Sequence, residues 1–121
     1  MTSFADYTAQ QDARNTIQLN VTKWTLMLCD ALKDDAPTNY DYIIESGRKY
    51  HKIIMVIDNG PNRLGPSRSV HAFVDKKTGE VYKSAGWKAP AKGVRYDLRL
   101  IEQREWLFEK ADWAGGYLYA R

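Results

Sequence analysis

Reactive and metal-binding side chains are scarce in this 121-residue chain, which has one cysteine, Cys29, and two histidines, His51 and His71. A structural zinc site needs four converging donors at recognisable spacing, so no metal site is expected. A lone cysteine forms no internal disulfide, which makes a reducing compartment the default. Long apolar runs are missing as well. None approaches the ~18 residues of a membrane span, and the N-terminal MTSFADYTAQQDARN carries acids without an apolar centre, so neither a membrane anchor nor a secretory signal is expected. The chain also lacks a phosphate-binding glycine loop: NGPNRLGPS has neither the glycine pattern nor the lysine of nucleotide-binding motifs. No cofactor is implied.

What is present describes an ordered domain. The composition is 44% hydrophobic, 12% aromatic and 27% charged, and the length suits a single domain with a core of its own. The formal net charge of +3 is well short of a histone-like balance, so local clusters of charge matter more than the total.

Periodicity changes twice along the chain. Ile17, Val21, Trp24, Leu28 and Leu32 recur at helical spacing and predict an amphipathic helix, with Cys29 as a small packed residue. The helix is expected to begin upstream, capped by Thr2 or Ser3 and extended by a weaker stripe of Phe4, Tyr7 and Ala13. It should stop at Asp34, Asp35 and Pro37, since proline disfavours helix in the residue before it. Residues Tyr40 to Asp58 are expected to form two strands around a turn at Ser46-Gly47-Arg48, on the strength of Tyr42–Ile44 and Ile53–Ile57, and the second run, apolar on both faces, belongs in the middle of a sheet. Residues 59–68, NGPNRLGPSR, form a long surface loop.

The run SVHAFVDKKTGEVYKS predicts a hairpin with Gly79 at positive φ. Strict alternation sends Val70, Ala72 and Val74 to the core and Ser69, His71, Phe73 and Asp75 to the other face. Leu100, Ile101, Trp106, Leu107 and Phe108 predict a second amphipathic helix of about three turns. Tyr117, Leu118 and Tyr119 then form a final strand or an aromatic flap. The expected fold is α+β: one domain over residues 1–121, with a four-stranded, mainly antiparallel sheet covered on one face by the N-terminal and C-terminal helices.

The segment most suggestive of function is KSAGWKAPAKGVR, Lys83 to Arg95, which is basic, aromatic and free of acids. Lys83, Lys88, Lys92 and Arg95 supply charge, Trp87 supplies a flat apolar face, and Gly86, Pro90 and Gly93 keep the backbone out of regular structure. Arg63 and Arg68 add charge nearby, and His71, Phe73 and Tyr82 are candidates for an exposed sheet face beside the loop. Cations neutralise phosphates and an indole stacks on an unpaired base, so this set suits nucleic acid. It also suits a protein partner, and the plain alternative is a solvated connection whose Trp87 folds back into the core. Catalysis ranks third: Ser69, His71 and Asp75 follow one another along a strand, a spacing that builds no hydrogen-bonded relay.

The phrases SVHAFVDKKTGEVYKSAGWKAPAKGVRYDL and ADWAGGYLYAR resemble small uncharacterised proteins of tailed bacteriophages, over roughly the last half of the chain. The resemblance implies a phage-encoded protein acting in the cytoplasm of an infected bacterium or carried in a virion. It brings no catalytic residues with it. The expected function is a non-enzymatic accessory protein binding nucleic acid through the basic loop. The alternative is a protein-interaction module directed at a host enzyme or defence protein, or a minor virion component.

Overall fold

The computed structural model describes residues 4–61 and 65–119, with the side chains of Phe4, Asp6 and Tyr7 outside that description. The candidate caps Thr2 and Ser3 lie outside the described residues. In chain order the elements are α1 (Phe4–Asp35), β1 (Tyr40–Ser46), β2 (Tyr50–Ile57), β3 (Ser67–Asp75), β4 (Glu80–Lys83), β5 (Tyr96–Asp97), α2 (Ile101–Lys110) and a 3-10 turn, Gly116–Leu118.

The expected stripe organises α1. Val21, Leu28 and Leu32 are fully buried, Cys29 joins them in the core, and Ile17 at the upstream end is partly exposed. Upstream of Val21 the described side chains are exposed except for the half-buried Gln11, so only the second half of this 32-residue helix packs on the domain. The Ala36 amide closes the last turn on the Leu32 carbonyl at 3.0 Å, and Pro37 begins the turn into β1 by accepting from the Tyr40 amide at 3.0 Å. Trp24 packs at the rim of the core, with the Arg104 guanidinium 4.2 Å above its ring, and so joins α1 to α2.

The strands form an antiparallel meander in the order β1-β2-β3-β4-β5, with β2 interior as its apolar run demands. There are five strands rather than four. The addition is the pair Tyr96–Asp97, which aligns with Val81 and Glu80 of β4, and two residues carry no period of their own. Both helices cover the same face, where Val21, Leu28, Leu32 and Leu107 meet Tyr42, Ile53, Ala72, Val74, Val81 and Tyr96.

One expectation about β3 fails at a bulge. Ile53 pairs with Ala72 but Ile54 pairs with Val70, leaving His71 as an extra residue. A bulge of this kind places two residues of one strand opposite one of its partner and resets the alternation. Ala72 and Val74 enter the core as expected, Val70 does not, and His71 turns to the helix-covered side against Tyr42 and Tyr117. Phe73 is nearly fully buried yet lies outside the helix-side core, against Tyr50. Among its described residues the tail forms a 3-10 turn rather than a strand; it docks as the flap expected of it, burying Tyr117 and Leu118.

The β3–β4 hairpin is built as its sequence indicates. One Asp75 carboxylate oxygen accepts from the amides of Lys77 at 2.8 Å and Thr78 at 3.2 Å, and the Gly79 amide closes on the Asp75 carbonyl at 2.9 Å. Gly79 holds φ +74°, and a Cβ there would lie 3.4 Å from both Val21 and Arg99 side-chain carbons. Left-handed backbone disfavours a branched residue, and α1 already occupies the adjacent space. Gly79→Val is therefore expected to destabilise the domain by about 1–3 kcal/mol, while Lys77→Ala, at an exposed turn position, shifts it by less than about 0.5 kcal/mol. Urea melts of both variants check this, and a Gly79→Val midpoint equal to the parent's would contradict the turn assignment.

Candidate functional site

The Lys83–Arg95 segment is not a slack loop. Ala91 donates to the Lys83 carbonyl at 2.8 Å, Ala85 donates to the Ala89 carbonyl at 3.1 Å, and Ser84 and Pro90 form an isolated bridge. The Ser84 hydroxyl donates to the Gly86 carbonyl at 2.9 Å, and the Arg95 amide bonds the Val81 carbonyl at 2.7 Å. The segment is thus a narrow doubled-back projection from β4 with Gly86, Trp87 and Lys88 at its tip.

Trp87 neither enters the core nor stands free. The Lys52 ammonium lies 4.8 Å from its ring centroid and the Arg68 guanidinium 5.6 Å away, both within cation–π range. The indole remains 44% exposed. Lys52 also lies 5.9 Å from the Phe73 ring, Tyr50 meets Phe73 and Tyr82 edge-on at 5.7 and 6.0 Å, and the Lys49 ammonium sits 5.3 Å over Tyr50. The hydrogen bond to Tyr50 raises the Lys49 pKa, which favours its charged form. Beside these rings is a trough of about 240 Å³ whose lining includes Arg48, Lys49, Lys52 and Lys88. Glu45 enters the same trough, 3.6 Å from Arg68 and 4.0 Å from Lys52, and offsets part of that charge.

The residues expected to act together therefore divide. Arg68, Phe73, Tyr82, Trp87 and Lys88 share the sheet face away from the helices or the trough at its edge. Lys83 and His71 do not join them: Lys83 points toward Tyr119 on the helix-covered side, and the bulge carries His71 the same way. Lys92 is exposed and Arg95 half-buried on the returning limb of the projection. Arg63 lies outside the described residues. Sequence reasoning missed Arg48, Lys49, Tyr50 and Lys52. Their signal was the basic, aromatic run RKYHK at the start of β2, where Tyr50 and Lys52 share a face by period two.

The histidines and Asp75 are held by hydrogen bonds. Among the described residues, no group of three or more His, Cys, Asp or Glu side chains is placed to hold a metal ion. His71 Nε2 lies 2.7 Å from the Tyr117 hydroxyl, and His51 bridges the Ser46 hydroxyl at 2.7 Å and the Thr22 hydroxyl at 3.2 Å. Asp75 is committed to its turn. Burial, with Asp30 and Asp41 nearby, pushes the Cys29 thiol up to about 12, far from a nucleophilic thiolate.

Desolvation lowers the His71 pKa to about 4, with Asp112 opposing the shift. A histidine whose folded pKa lies below its unfolded value binds fewer protons when folded, so its contribution to stability is present above pH ~6.5 and is lost as pH falls toward about 4. Between those limits, stability of the parent should fall with acid by up to about 1.4 kcal/mol per pH unit on account of His71. His71→Gln should flatten that dependence, as read from urea melts at pH 4.5, 5.5 and 6.5. An unchanged slope would mean that the imidazole titrates alike in the folded and unfolded states.

Residues 4–120 match a family of unknown function, DUF7717, and the chain belongs to that family. No curated protein and no solved structure matches it.

Proposed function

We propose that this protein is a non-enzymatic binding module that takes a single-stranded nucleic acid across the sheet face carrying Trp87. The observation that supports this reading most is the half-exposed indole within cation–π range of both Lys52 and Arg68, beside the Tyr50–Phe73–Tyr82 rings. A strand offers what this surface complements: bases with π faces to stack on Trp87, and phosphates for Arg48, Lys49, Lys88 and Lys92 along the trough and projection. A duplex stacks its bases internally and presents only phosphates, which would leave the indole unused. The resemblance to tailed-phage proteins extends the reading to an accessory role in an infected bacterium. No helix among the described residues is long and apolar enough to cross a membrane, which agrees with a partner met in water.

The competing reading is a protein-interaction module, and Glu45 favours it. This carboxylate already offsets Lys52 and Arg68, and a net charge of +3 gives little long-range attraction to a polyanion.

Anisotropy titrations of labelled single-stranded and duplex oligomers, between low and physiological salt, separate the two readings. Trp87→Ala is expected to weaken single-strand binding by about 1–3 kcal/mol with little change in the salt slope. Lys88→Ala or Arg48→Ala should instead lower the log–log slope by about 0.7 for a single strand. Absence of saturable binding by the parent at roughly tens of micromolar in low salt would reject nucleic acid and leave the protein partner as the reading.

A further inference from the structure

On the opposite side of the sheet the C-terminal tail encloses a second cleft. The phrase DWAGGYLY devotes its polar groups to holding itself in place. The Trp113 amide donates to an Asp35 carboxylate oxygen at 3.1 Å, the Trp113 carbonyl accepts from the Tyr42 hydroxyl at 3.3 Å, and the Tyr117 amide donates to Asp112 at 3.1 Å. The Tyr117 carbonyl accepts from the Tyr96 hydroxyl at 2.5 Å, and the Tyr117 hydroxyl meets His71. Gly115, at φ +83°, brings the tail so close that a Cβ would lie 3.7 Å from the His71 ring.

A tail so firmly anchored still leaves two rings at the surface, Trp113 at 37% and Tyr119 at 65% exposure. Both lie on a cleft of about 260 Å³ whose polar lining includes Lys83 and the serines Ser69 and Ser84, and whose floor includes Met55 and Leu118. The Lys83 ammonium lies 4.6 Å from the Tyr119 ring centroid. No carboxylate lines the cleft among the described residues, and the nearby Asp112 is turned to the Tyr117 amide. His71 also lines it and is held neutral by burial, so Lys83 supplies the charge.

We propose that this cleft is a binding site for a small monocyclic aromatic anion, with its ring against Tyr119 and Trp113 and its acid group on Lys83 and the serine hydroxyls. The volume lies below the range of drug-sized pockets, which limits the ligand to about one ring and its acid group. The aromatic rim selects planarity, and the lone ammonium selects a single negative centre. The site is independent of the Trp87 face, because Lys83 and Trp87 lie on opposite sides of the sheet.

The test uses the whole chain and amide chemical-shift titrations with benzoate and phenyl phosphate as carboxylate and phosphate arms, benzamide as the neutral ring, and inorganic phosphate as the ringless anion. A ligand of about ten heavy atoms should saturate in the millimolar range or somewhat below. Shifts concentrated at Lys83, Ser84, Gly115 and Tyr119 are expected with at least one aromatic anion, and whichever arm is tighter identifies the acid group. Lys83→Gln should weaken that binding about tenfold, and Tyr119→Ala a few-fold, while Lys92→Ala leaves it unchanged. The proposal is overturned if neither aromatic anion saturates by roughly 10 mM. It is equally overturned if benzamide or inorganic phosphate binds as well as the aromatic anions, if Lys83→Gln binds like the parent, or if the shifts map to Trp87 and Lys52 instead.

Discussion

The inserted His71 in β3 is the constraint on which both faces of this protein depend. Because it stands opposite no residue of its own in β2, alternation restarts there and the imidazole turns toward the helices, 2.7 Å from the Tyr117 hydroxyl. That contact, with the Tyr96 hydroxyl on the Tyr117 carbonyl, fixes the tail across the helix-side surface. Phe73, two residues on, keeps the opposite face and joins Tyr50 beside Lys52. Without the extra residue, His71 and Phe73 would share a face, and the Tyr117 hydroxyl would lose its partner on β3.

Charge is divided by the same backbone. Lys83 and Trp87 are four residues apart, yet the strand end sends the first to one side of the sheet and the doubled-back projection delivers the second to the other. A small net charge is therefore compatible with two local concentrations of positive charge: Arg48, Lys49, Lys52 and Lys88 around one trough, and Lys83 alone in the tail cleft. A single cation in a small cleft rimmed by two rings favours small ligands, whereas several beside a half-exposed indole favour a chain of charges.

Much of the fold was legible because it rests on local rules. The stripe through Val21, Leu28 and Leu32, the stop before Pro37 and the left-handed Gly79 each follow from a few neighbouring residues, and each holds. The candidate site was only half legible. Trp87 and Lys88 stood out because their segment lacks acids, but Lys52 and Tyr50 were read as strand residues, and strand identity says nothing about which distant loop arrives above them. The bulge was hidden for a related reason: SVHAFVD alternates well enough to suit an unbroken period, and only pairing with β2 shows that one residue is surplus. The two-residue β5 was invisible because its existence is a matter of partners rather than propensity.

The projection bearing Trp87 also bears on how strongly a weakly charged surface can bind. An unstructured basic loop would have to be ordered at each encounter, at a cost that grows with every immobilised side chain. Here the two limbs are bonded to each other through Ala91, Lys83, Ala85 and Ala89, and the indole is steadied by two cations before any partner arrives. The ordering cost is met within the fold, so modest stacking and few ion contacts go further than the net charge suggests. The same steadying has an opposite consequence for specificity. A ring steadied by Lys52 and Arg68 adapts poorly to partners that need it elsewhere, which favours a ligand with repeating, interchangeable flat units over one requiring a unique fit.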